Sequence, residues 1–141
     1  MRIACSTAAF CRSPLEEAVR GVRELGFAEA DLLVIEGWVH VNPTDLVNDW
    51  DGTTARVDAL LQENGVRPIA LNAGLSVLLH ERSAEACEQR RRQVAALARF
   101  AGLYGVAVSG MQPSLTGLDG RPAEQVFRDS VASLQEMAAI A

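Results

Sequence analysis

An α/β fold of four strand-helix units is predicted by three observations. Aliphatic runs of strand length alternate with amphipathic helical stretches, and the runs are too continuous for strands with one wet face. Gly-apolar pairs close the helices at Gly26-Phe27, Gly65-Val66 and Gly105-Val106, at intervals of 39 and 40 residues. That interval is what one strand, a generous loop and a helix occupy.

The first unit opens with a strand from Arg2 to Thr7 and a loop through Phe10 and Cys11. Ser13-Pro14-Leu15-Glu16 then reads as a capping box, with Ser13 as N-cap and Pro14 at the first helical position. Leu15, Ala18, Val19, Val22 and Leu25 form the apolar stripe. The second strand, Ala30 to Ile35, is aliphatic except for Asp31, and a long loop from Glu36 to Gly52 leads to a helix marked by Val57, Leu60 and Leu61. The third strand, Arg67 to Asn72, carries Pro68 near its start, where a missing amide is tolerable. Ser83 caps the third helix, whose inner face is Val94, Leu97, Ala98 and Ala101. Glu88, Arg90, Arg91 and Arg92 fit a solvated, ion-paired face of it better than a phosphate clamp. The fourth strand is Val106 to Met111, followed by a Gly/Pro/Ser/Thr loop through Gly120. Pro122 opens the last helix, with Phe127, Val131, Leu134 and Ala138 as its stripe, and the chain stops at Ala141 with no strand after it.

Composition narrows the function. The 141 residues are 49% hydrophobic and 22% charged, the balance of one globular domain. Thirteen basic residues, all arginine, stand against eighteen acidic ones for a net charge of -5, which argues against nucleic acid as a partner. No stretch approaches the ~20 apolar residues of a membrane span, and no signal peptide opens the chain, so a cytoplasmic protein is expected. Cys5, Cys11 and Cys87 are odd in number without C-x-x-C spacing, which suggests reduced thiols; Cys5 reads as a small packed hydrophobe rather than a nucleophile.

Alternating strands and helices leave an open doubly wound sheet or part of a (β/α) barrel. A doubly wound nucleotide binder carries glycines after its first strand, and here that turn is Ser6-Thr7-Ala8-Ala9-Phe10. The remaining fold is half of an eight-unit barrel, which in full needs ~250 residues.

Arg2-Ile3-Ala4-Cys5-Ser6-Thr7, Ser13-Pro14-Leu15-Glu16-Glu17-Ala18, Glu24-Leu25-Gly26-Phe27 with Ala30-Asp31-Leu32, and Gly65-Val66-Arg67-Pro68-Ile69-Ala70-Leu71-Asn72 together resemble the xylose isomerase-like barrel superfamily of sugar phosphate isomerases and epimerases. The resemblance implies that residues 1–141 are the N-terminal half of a (β/α)8 TIM barrel truncated at its C-terminal end. It implies a sugar or sugar phosphate substrate and proton transfer next to a carbonyl. For the full-length protein it implies a divalent metal such as Mn, Mg, Co or Zn, held by acidic and histidine ligands on later strands and not by this chain alone. DNA-repair members of the superfamily carry metal-binding histidines after the third and fourth strands. Here those positions read Asn72-Ala73-Gly74 and Ser109-Gly110-Met111-Gln112, with no histidine, which argues against that activity.

The strand C-terminal ends supply Ser6, Thr7, Glu36, Trp38, His40, Asn72, Ser109 and Gln112, groups suited to holding a polyol. Glu36, Trp38, His40, Asn72 and Gln112 are the substrate-binding candidates, set against the plainer readings of a Trp that covers the barrel mouth and a His satisfied within the fold. Asp31 needs a partner inside its aliphatic strand: an arginine such as Arg2 or Arg67, unless it lines the sugar pocket. His80 reads as loop packing or helix entry. Two further readings stay open: a non-catalytic half-barrel that self-associates or pairs with a partner half through its exposed edges, and a compact open-sheet binding module.

Overall fold

The computed structural model describes residues 3–106, 109–111 and 120–140. Four parallel strands lie in the order β1 (Cys5–Ser6), β2 (Glu29–Ile35), β3 (Arg67–Gly74) and β4 (Ser109–Met111). Between them run α1 (Leu15–Glu24), a short α2 (Pro43–Asn48), α3 (Trp50–Asn64) and α4 (Ala84–Leu103), and α5 (Ala123–Ala138) follows β4. The expected alternation is therefore present, with strand order equal to chain order, as successive barrel units require.

Register sorts the strand residues into two faces, because partners in a parallel pair point the same way and successive residues point opposite ways. Ala30, Leu32 and Val34 of β2, Leu71 and Ala73 of β3, and Met111 of β4 share the helix face. They pack with Val19 and Val22 of α1, Val57 and Leu61 of α3, and Leu97 and Phe100 of α4 in one cluster. Phe100 is fully buried and stands edge-on to Trp50 and Tyr104, with ring centroids 6.5 and 5.0 Å away. Gly65 ends α3 at φ 62°, a left-handed conformation in which a Cβ is costly, and frees Val66 to turn into the core.

Several expectations need correction. The first strand is shorter than Arg2 to Thr7: a 3-10 turn begins at Thr7, where the Ser6 hydroxyl accepts the Ala8 amide. The Ser13 capping box does not form, because Pro14 occupies the N-cap with an extended ψ of 160° and Glu16 faces Arg56 at 3.5 Å instead. The segment from Glu36 to Gly52 is not all loop. Pro43 starts α2, and the Asp49 carboxylate accepts the Gly52 amide at 3.1 Å to start α3. Ser83 does cap α4, accepting the Ala86 amide at 3.2 Å. The loop after β4 from 112 to 119, with Gln112 in it, and part of the expected fourth strand at 107 and 108, lie outside the described residues.

Arg90 is the sharpest departure, since it is not on the wet face of its helix. It is 1% exposed and donates through Nη2 to the carbonyls of Leu78 and Glu81 at 3.0 and 2.6 Å. Glu88, Arg91 and Arg92 are exposed as expected, with Arg91 on Glu88 at 2.6 Å. The stripe of α5 also departs. Ser133 and Met137 are its buried residues, whereas Phe127 is 68% and Leu134 44% exposed. Arg82 reaches Ser133 Oγ at 2.9 Å and Glu136 Oε1 at 2.6 Å and so ties the opposite side of α5 to the loop after β3. That contact holds the Glu136 carboxyl below the usual carboxylate range.

Three measurements check this account. Phe100→Ala removes a ring that two aromatic neighbours enclose, and should lower unfolding free energy by about 3–5 kcal/mol in urea titration. Arg90→Met keeps the apolar stem but orphans two buried carbonyls; it should cost about 1–3 kcal/mol and raise amide exchange at residues 78–82. Tyr104 is the only tyrosine of the chain. Burial first, and then the bond its hydroxyl donates to Asp58 at 2.6 Å, push its phenol well above the ordinary value. A raised folded value stabilises below the unfolded pKa of about 10 and is lost as pH climbs beyond it. Absorbance at 295 nm should thus stay flat through about pH 10 and rise only as the fold opens; a rise centred at that pH in folded protein would refute the contact.

Candidate functional site

The second face of the sheet is the one that would line a barrel. On it lie Ser6 of β1, Asp31, Leu33 and Ile35 of β2, Ala70, Asn72 and Gly74 of β3, and Gly110 of β4. Gly74 sits here because a Cβ would come within 2.8 Å of Ile35 Cγ2. The polar members climb toward the strand C-terminal ends, where barrel chemistry collects. Ser6 donates its hydroxyl to Asp31 Oδ2 at 2.9 Å. Asp31 therefore finds a hydroxyl in place of the expected Arg67, which bonds Glu29 at 2.6 Å; Arg2 lies outside the described residues. The register of β2 on β3 slips beside it, between Ala30 and Asp31. Thr7 is fully buried and accepts the Leu33 amide at 2.9 Å, which seats the turn after β1 on β2.

Above this face the loop after β2 is organised by the residues that made it stand out in the sequence. Glu36 Oε2 accepts the Thr44 amide at 3.0 Å and so caps α2 from a distance. Gln93 of α4, nearly buried, donates to Thr44 Oγ1 at 3.0 Å and reaches Glu36 Oε2 at 3.5 Å, while its Oε1 accepts from the amide and hydroxyl of Ser76 at 3.1 Å each. One amide thus ties the loop after β2 to the loop after β3. Nothing local in the sequence announces it, since its partners lie 17, 49 and 57 residues away.

His40 is 2% exposed, and its Nε2 donates toward the carbonyls of Phe10 and Ser13 at 3.3 and 3.1 Å. Two acceptors at one nitrogen place the proton there, and Nδ1 has no hydrogen-bond partner among the described residues. Arg56 secures the same position by donating to the His40 carbonyl at 3.2 Å. Trp38, by contrast, is 42% exposed at the tip of this loop, next to the exposed Val39. Asn72 is half-buried at the upper end of the inner face. Ser109 belongs to the helix face rather than to this one, two residues before Met111. His80 is buried under the loop after β3, where Arg121 donates to its carbonyl at 3.2 Å and to Glu81 at 3.2 Å. The Ser83 amide, first, and then Arg121 hold the Glu81 carboxyl below its usual range.

Among the described residues no group of three or more His, Cys, Asp or Glu side chains stands close enough to hold a metal ion. With His40 turned onto backbone carbonyls and Asp31 paired to a hydroxyl, this donor set does not fit a divalent cation. No described helix is long and apolar enough to cross a membrane.

Neither a protein-family model nor a curated protein matches the sequence. Solved structures do. The whole chain superposes on 48% of D-psicose 3-epimerase, crystallised in the presence of D-fructose, with a TM-score of 0.63 at 13% identity. It also superposes on 52% of the apo 3-keto-D-glucoside 4-epimerase from E. coli, with a TM-score of 0.54 at 19% identity. The chain spans about half the length of these structures. Its four parallel strands with alternating helices and their unbroken order therefore make up the fold of about half of a (β/α)8 TIM barrel.

Proposed function

We propose that this chain forms one half of a sugar isomerase or epimerase barrel, in which it shapes the substrate pocket while the groups that move the proton and hold any metal belong to the other half. The observation that carries the reading is the inner face: a hydroxyl, a carboxylate and an amide, Ser6, Asp31 and Asn72, lie on the side of the sheet that faces a barrel interior. Two sugar epimerases share the fold. In this role Asn72 bonds substrate hydroxyls and the exposed Trp38 ring packs against the sugar's C–H face. Gln112, at the end of β4 by sequence, joins them. Glu36 and His40 serve the pocket by fixing the loop that carries Trp38. A neutral sugar fits better than a sugar phosphate, because this face carries a carboxylate and, among its described residues, no arginine.

The reaction class that follows is proton transfer at a carbon next to a carbonyl, which interconverts aldose and ketose or inverts a stereocentre. It is tested by reading the coding sequence past codon 141 and assaying the encoded protein on keto sugars in deuterated water. Deuterium should enter at the epimerised carbon. Trp38→Ala should raise KM by about tenfold or more with a smaller change in kcat, the signature of lost uniform binding. Robust turnover by the 141-residue chain alone would place the catalytic groups within it and sink the division of labour. A longer protein inert on every keto sugar tried would sink the reading as a whole.

A further inference from the structure

The backbone ladder between β2 and β3 continues one bond past β2, from the Glu36 amide to the Gly74 carbonyl at 2.9 Å. Beyond it the two chains part, one toward Trp38 and α2, the other toward the loop that Arg90 anchors. The side-chain amide of Gln93, 2% exposed on α4, stands between them. Its Oε1 accepts the Ser76 amide and hydroxyl at 3.1 Å each, while its Nε2 donates to Thr44 Oγ1 at 3.0 Å and reaches Glu36 Oε2 at 3.5 Å. A primary amide offers the donor and acceptor of a peptide group, so Gln93 adds a rung where the strands can no longer supply one. Gln89, one turn earlier on α4, steadies the far end by donating to Ser76 Oγ at 2.9 Å.

We infer that Gln93 is a positioning residue of the sugar pocket, which places the Trp38 ring relative to Asn72. This rests on the pocket reading given above. Glu36 and Thr44 bracket the segment that carries Trp38, and the Glu36 carboxylate joins its two ends by accepting the Thr44 amide at 3.0 Å. Within the segment the Trp38 amide donates to the Ile35 carbonyl at 3.2 Å and the Gly37 amide to Asn42 Oδ1 at 2.7 Å. The segment is thus a closed loop held at its base, and Gln93 pins that base to Ser76, two residues past the end of β3. Asn72 lies on β3 itself, so the bridge fixes one pocket group against the other. Both faces of the sheet are formed without it, which separates its role from that of a core residue.

Gln93→Glu keeps the shape and the acceptor but sets a second carboxylate beside Glu36. The other charged groups close by are Glu85, Glu88 and Arg92, which line an open cavity of about 340 Å³ together with Thr44 and Gln93. Two carboxylates so placed disfavour each other's ionisation, and acid restores a donor because a protonated carboxyl offers an O–H where the amide offered an N–H. In a Trp50→Phe background Trp38 is the only tryptophan of the 141-residue chain. There, Gln93→Glu should raise acrylamide quenching at about pH 7.5 and return to the wild-type level near about pH 5, with circular dichroism unchanged. Thr44→Val, which removes the hydroxyl at the other end of the bond, should raise quenching at both pH values, and it decides the matter if Gln93→Glu does not fold. In the longer protein, KM of Gln93→Glu relative to wild type at the same pH should rise about tenfold in neutral buffer and fall back in acid, with kcat within about threefold. With Trp38→Ala already in place, the same change should alter KM by less than about twofold. Wild-type quenching in either variant at neutral pH would overturn the inference. So would a loss in Gln93→Glu that acid does not reverse, which marks general damage, and so would an undiminished KM effect in the Trp38→Ala background, which places the action elsewhere. No sugar enters the quenching readout, so a longer protein inert on keto sugars sinks the pocket reading while fluorescence still decides whether Gln93 holds Trp38.

Discussion

Segregation of the strand side chains into one apolar face and one mixed face is the constraint on which this structure depends. A parallel pair sends register partners to the same side, so choosing Leu32, Val34, Leu71 and Ala73 for the helices leaves Asp31, Leu33 and Asn72 no option but the other side. A slip of one residue would drive a carboxylate into the helix layer, at a cost no neighbour there could offset. The core and the candidate pocket are thus two consequences of one register. The pairing with β3 skips Ile69 between Ala30 and Asp31, so the irregularity of this strand pair falls beside the charged residue.

Much of this was legible in the sequence, and the reason differs by element. The closing glycines at 26, 65 and 105 all have positive φ, a backbone demand that only glycine meets cheaply, so their spacing exposed the repeat directly. Ser83 and the α1 stripe of Leu15, Ala18, Val19 and Val22 followed from local rules, because caps and periodicity involve residues within a turn of one another, whereas Leu25, expected in that stripe, is 62% exposed past the helix end. Arg90 escaped because its partners are main-chain carbonyls of a loop nine and twelve residues upstream, and a carbonyl leaves no trace in the sequence. Gln93 escaped because its partners, the side chains of Thr44, Glu36 and Ser76 and the Ser76 amide, lie 17 to 57 residues away in sequence. The two short helical starts at Pro43 and Asp49 carried their signals in plain sight, a proline at N1 and an Asp three residues before a Gly, but lacked the apolar period that gives a helix away.

The cluster Glu36, Trp38, His40 shows the limit from the other direction. Residue type and density marked the loop correctly as unusual, yet could not tell a group that meets a ligand from a group that holds the one that does. His40 Nε2 and Glu36 Oε2 are spent on backbone groups, the carbonyls of Phe10 and Ser13 and the Thr44 amide of α2, whereas Trp38 keeps its surface. The distinction rests on where backbone carbonyls and amides end up, which the fold decides after the sequence has been written.

Arg90 has a consequence for how this scaffold can diversify. Its guanidinium holds the loop after β3 by main-chain oxygens at residues 78 and 81, so the loop's shape is insulated from the side chains it displays. A loop held that way can exchange its outward residues, and with them the ligand it greets, without renegotiating its path. The anchor itself has no such freedom: one terminal nitrogen, Nη2, serves both carbonyls, so a side chain that could not bring two N–H groups to that point would release the loop.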